Sequence, residues 1–173
     1  MPYSSRVVTD LDSLKAVSHP LRLKLLGLLR SDGPATASQL ARWVGESSGS
    51  TSYHLRQLER FGFVEDDAEQ PSGRERRWRA SHDMTTLPDA LWRLPGGREH
   101  LDVLRRRQVE VMLERLEAWT EPQPGIGHDD YVVYLDPDDL VQLATEIEAV
   151  VQSYAGKQGA RKVGVHVLRL PAS

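Results

Sequence analysis

Between Asp12 and Ser31 the apolar positions Leu14, Val17, Leu21, Leu25, Leu28 and Leu29 recur at helical spacing, with a break at Ser18-His19-Pro20. Proline at the first helical position gives up only an N–H that would lack a partner, so the break predicts two helices, the second running from about Pro20 to Arg30. Asp32-Gly33-Pro34 closes it. Thr36-Ala37-Ser38-Gln39 then reads as a capping box, in which the Thr36 hydroxyl and the Gln39 side chain satisfy free backbone donors at a helix start. Leu40, Trp43 and Val44 are expected on the inner face of that helix, and Gly45 supplies a left-handed stop. After a Ser-rich turn, Thr51, Leu55 and Leu58 resume the helical period, predicting a helix over about Ser48 to Arg60. Phe63 to Asp67, a Gln70-Pro71-Ser72-Gly73 turn and Arg74 to Arg79 follow as a β-hairpin, with Trp78 on the face opposite Arg77 and Arg79.

Helix, tight turn, helix and hairpin together make the winged form of the helix-turn-helix, whose second helix enters the major groove of double-stranded DNA. The segments Ser18-His19-Pro20-Leu21-Arg22-Leu23-Lys24-Leu25-Leu26 and Ser50-Thr51-Ser52-Tyr53-His54-Leu55-Arg56-Gln57-Leu58, with the wing Gly73-Arg74-Glu75-Arg76, resemble the ArsR-type winged-helix regulators in order and spacing. The resemblance covers about residues 10–82, less than half of the chain, and implies a sequence-specific DNA-binding regulator. Inward Thr51, Leu55 and Leu58 turn Ser48, Ser52, Tyr53 and Arg56 outward. Arg56 is then the candidate for a guanine edge or a phosphate, against the plainer reading of a solvated arginine. With them, Thr36, Ser50, Arg74 and Arg76 complete the expected DNA-contacting set, Arg74 reaching from the wing tip and His54 serving a structural role. A Ser-rich run alone is more often a linker, a reading that Leu55, Leu58 and Phe61 at helical intervals reverse, and a solvated strand is the plainer but less favoured reading of the basic hairpin.

Further along, Pro88, Pro95 and Gly96-Gly97 mark residues 83–96 as a connector with a short helical piece around Leu87 to Leu94. A long amphipathic helix is expected from Gly97 to Trp119, carrying Leu101, Leu104, Val109, Met112, Leu113 and Leu116. Its apolar stripe predicts homodimerisation through helix 97–119, since paired half-sites require a two-fold dimer. A strand over Tyr131–Leu135, a helix capped by Asp136 with Pro137 at its first position, and a strand over Lys162–Leu170 are expected after it. The expected fold class is therefore α+β. A winged helix-turn-helix domain over 1–82 and a connector over 83–96 lead into a long helix and a small strand-helix-strand unit over 97–173. Tyr131, Tyr134, Trp119 and His166 could line a small-molecule effector pocket there, though core packing is the plainer expectation.

Composition narrows the chemistry. The chain of 173 residues is 39% hydrophobic and 27% charged, and no apolar run approaches the roughly 20 residues of a membrane span. The first residues lack the apolar core of a secretory signal, so a cytoplasmic location is expected. Residues 1–95 hold 13 Lys/Arg against 12 Asp/Glu and residues 96–173 hold 9 against 13, which places the acidity behind the net charge of −3 in the second half. Cysteine is absent, removing disulfides, thiolate ligands and cysteine nucleophiles together. The resemblance implies metal-sensing sites in some relatives, one on the helix containing Gln39 to Val44 and one of Asp, His and Glu on a C-terminal helix. The first lacks its cysteines here and the second offers only His100, so no metal or cofactor is expected. No phosphate loop or Ser/His/Asp set at motif spacing argues for an enzyme. Two other readings remain open: a winged helix that binds protein, and a ligand-binding protein whose C-terminal unit is the main site.

Overall fold

The computed structural model describes residues 4–69, 75–154, 157, 159 and 162–170. By its internal contacts the chain divides into two compact units, one over Ser4–Glu110 and one that includes Val111–Ser173.

The first unit opens with strand β1 (Ser5–Val7), then α1 (Leu11–Ser18) and α2 (Pro20–Ser31). The Ser13 N–H donates to the Asp10 carboxylate at 2.8 Å, capping α1, and Pro20 opens α2 at its first position. Strand β2 (Ala35–Thr36) leads into α3 (Ala37–Val44) and α4 (Ser48–Arg60). The hairpin follows as β3 (Val64–Asp66) and β4 (Arg77–Ala80), with β2 as a third antiparallel strand, in the order β2-β4-β3. Strand β5 (Met84–Thr86) then pairs in parallel with β1. Leu14, Leu25, Leu40, Leu55 and Leu58 are fully buried and meet Phe63, Val64 and Trp78 in one core. Each such side chain contributes roughly 1.5–3 kcal/mol through burial.

The stretch expected as a connector is built into this unit. Besides β5 it contains a 3-10 turn over Asp89–Arg93 whose Leu91 is buried in the core. Arg30 of α2 fixes the same stretch, donating to the His82 carbonyl and to Thr85 Oγ1, both at 2.9 Å. Burial pulls its guanidinium down to about 10 against the opposing pull of Asp83, so it stays charged at neutral pH. Helix α5 (Gly97–Glu117) begins against the same core, where Leu101 is buried and His100 Nδ1 meets the Ser18 hydroxyl at 2.9 Å.

Helix α3 departs from expectation at Trp43, which is 51% exposed. Leu40 and Ala41 are buried and Ala37 and Val44 half-buried, so the inner stripe runs through 37, 40, 41 and 44. In a helix of eight residues that stripe leaves Trp43 on the flank.

The second unit contains the end of α5 and helix α6 (Pro137–Ser153), which starts at Asp136 and Pro137 as expected. Residues 131–135 and 162–170 form no ladder, in contrast to the expected strands. Tyr131, Val133 and Tyr134 are exposed, as are Val163 and Val165. A strand needs a neighbour to bond its N–H and C=O groups, and an isolated strand pair is marginal even when formed. The four residues expected to share a pocket or core are not gathered: Trp119 packs edge-on to His128, His166 bonds Arg115 at 2.7 Å, and both tyrosines face solvent.

Candidate nucleic-acid interface

Helix α3 is started by Thr36. Its hydroxyl accepts from the Gln39 N–H at 3.2 Å while the Gln39 side chain accepts from the Thr36 N–H at 2.8 Å. Both groups of the capping box are thereby committed and Thr36 is buried. It was expected among the DNA-contacting residues. Its place under the helix start makes it a support for α3. At the other end Gly45 adopts φ +74°, and its N–H and that of Glu46 both reach the Ala41 carbonyl. The chain turns there into α4, whose first turn is capped by Ser47, accepting from the Ser50 N–H at 3.1 Å.

On α4, Thr51, Leu55 and Leu58 are buried, Ser48, Tyr53 and Arg56 are exposed, and Ser50 and Ser52 are intermediate. A helical period requires this division once the apolar positions fall three and four apart. His54 faces inward as expected, but it stacks on His19 with ring centroids 4.6 Å apart, and Tyr53 meets it edge-on at 5.2 Å. Neither His19 Nδ1 nor His54 Nδ1 has a hydrogen-bond partner among the described residues. Burial, the nearby Arg22 charge and the facing imidazole push His19 below its ordinary value. Burial and Arg22 do the same to His54, opposed by Glu46.

Ser48, Ser52 and Arg56 line a cleft of about 300 Å³ together with Ser38, Glu75 and Arg76. Ser50, Tyr53 and Thr36 are not part of its wall, and Arg74 lies outside the described residues. Arg76 is not free to act as a mobile cation. It bonds the Asp66 carboxylate, reaches Glu59 at 2.5 Å and lies over the Trp78 ring at 3.8 Å. The hydrogen bonds to Asp66 and then Glu59 raise its pKa further above the arginine range. Its neighbours in β4 are engaged in the same way: Arg77 meets Asp67 at 3.3 Å and the Pro34 carbonyl at 3.2 Å, and Arg79 meets Glu65 at 2.5 Å. The described arginines of the wing are therefore charge-compensated. Arg56, by contrast, is exposed without a hydrogen bond or ion pair among the described residues.

Sequence reasoning did not single out Ser38, Glu75 or the acidic partners of the wing arginines. A signal for the partners was present: Glu65-Asp66-Asp67 and Arg76-Arg77-Trp78-Arg79 occupy facing strands, and the ladder places Glu65 opposite Arg79.

Residues 17–67 match the family model of a helix-turn-helix domain. Helices α3 and α4 are its helix-turn-helix. Over 52 residues, 30% of this chain, the sequence is 38% identical to the HTH-type transcriptional regulator YgaV of Escherichia coli K12 and covers 52% of that protein. The chain thus spans about half the length of this curated relative. Among solved structures, reduced HlyU from Vibrio cholerae is 26% identical with a TM-score of 0.36, covering 40% of this chain and 70% of its own. The transcriptional repressor BigR from Xylella fastidiosa is 28% identical with a TM-score of 0.35, covering 40% and 66%. No described helix is long and apolar enough to cross a membrane.

Proposed function

We propose that the chain is a sequence-specific DNA-binding transcriptional regulator that inserts α4 into the major groove and acts as a homodimeric repressor. The observation that carries this reading is the division of α4. Thr51, Leu55 and Leu58 are locked in the core while Ser48, Ser52 and an unpaired Arg56 line an open cleft beside the wing. A helix held rigidly on one face and polar on the other can present side chains to base edges, and short serines let the backbone approach phosphates. The helix-turn-helix match over residues 17–67 and the local identity to a named transcriptional regulator support the same assignment. Occupying an operator excludes competing proteins from it, which makes repression the simplest consequence.

The homodimer rests on α5. Val109, Leu113 and Leu116 remain 40%, 46% and 50% exposed at helical spacing, an apolar stripe that a second copy would cover. The reading places the protein in the compartment that holds the genome. Its test is fluorescence anisotropy on a duplex enriched from genomic fragments and on an unrelated duplex. Arg56→Ala is expected to reduce the preference between the two by the equivalent of about 1–3 kcal/mol. An unchanged preference would remove Arg56 from base reading.

A further inference from the structure

We propose that Glu75 is a negative determinant of DNA affinity, holding the one carboxylate among the described side chains that line the cleft. The inference rests on the DNA-binding reading above and adds the electrostatic control of that same surface.

Three observations carry it. Glu75 lines the cleft with Ser38, Ser48, Ser52, Arg56 and Arg76, so its charge belongs to the surface offered to DNA. Its carboxylate is fixed there, because Ser38 Oγ donates to Glu75 Oε1 at 2.8 Å and ties the wing to the first turn of α3. No described cation neutralises it: the neighbouring Arg76 is taken up by Glu59 and Asp66, and Arg56 makes no ion pair. An incoming phosphate therefore meets a fixed negative charge beside the one unpaired cationic side chain of the cleft wall. Phosphate attraction supplies most non-specific affinity, so a carboxylate at this place lowers binding to all duplexes and leaves a larger share of the affinity to the base contacts of α4.

Glu75→Gln tests this cleanly. A glutamine oxygen can still accept from Ser38, so only the charge is removed. Anisotropy at low salt, on both the enriched and the unrelated duplex, is expected to show Kd falling about three- to tenfold, with the gain shrinking as salt screens the interaction. Glu75→Ala is expected to move in the same direction. Glu117→Gln at the end of α5, with an identical change in net charge, is expected to shift Kd less than about twofold. If the wild type binds with salt-dependent affinity and both Glu75 variants bind equally or more weakly, or if Glu117→Gln gains as much, the role of Glu75 is overturned and the DNA reading stands. If no duplex binds wild type or variants, both fall together.

Discussion

Arg76 and Arg56 are the same residue type on the same cleft, yet their surroundings give them different work. Arg76 is held by two carboxylates and an indole ring, which fixes the base of the wing. Arg56 has no such partner and keeps its donors for a ligand. Residue identity and helical phase indicate that Arg56 points outward, but only the folded packing of Glu59 and Asp66 around Arg76 reveals that it is occupied. Thr36 is engaged differently, its hydroxyl oxygen accepting from the Gln39 N–H inside the capping box. The stacked His19 and His54 carry a prediction at this scale. Both are held below the ordinary imidazole value, so the folded state prefers them neutral. Their contribution to stability is fully present above about pH 6.5 and is lost as pH falls through the lowered folded values. Facing them are Arg22 on α2, Tyr53 on α4 and Glu46 in the turn. The wild-type melting temperature is expected to fall as pH drops below that point, and His19→Gln with His54→Gln to flatten part of that fall. An unchanged slope in the double variant would remove the pair from acid sensitivity.

At the scale of elements, strong periodicity and capping chemistry were sufficient for α1 to α4. Pro20, the Thr36–Gln39 box and Gly45 mark boundaries through local backbone requirements that tertiary packing does not override. Strands β1, β2 and β5 were not legible, because pieces of two or three residues have no periodicity and exist only through partners distant in sequence. The opposite failure occurs at 131–135 and 162–170, where strand-like sequence is present and the ladder partner is not. Gly45 offers a direct check on the helix-turn-helix geometry. A Cβ there meets nothing within 4 Å, so Gly45→Ala suffers only from the left-handed backbone and is expected to cost about 1–2 kcal/mol. Gly27, exposed inside α2 with equally open space, is expected to gain about 0.5–1 kcal/mol as alanine. Chemical denaturation of the two variants reads both values, and equal signs would contradict the assigned conformations.

Across the whole molecule, the net acidity lies in the second half of the sequence. The first 95 residues are nearly neutral by count, with 13 Lys/Arg against 12 Asp/Glu. Glu65, Asp66 and Asp67 of the wing, with Glu59 of α4, hold its described arginines, while Arg56 stays unpaired among the described residues. On the proposed reading, a second protomer that covers the exposed stripe of α5 doubles the surface offered to DNA. The most direct test is to incubate the full chain with sheared genomic DNA at moderate salt, recover bound fragments and sequence them. Enrichment of one motif with two-fold symmetry is expected, its half-sites about one helical turn apart, with binding that weakens as salt rises. Recovery of fragments without any shared motif, or of none at all, would contradict it.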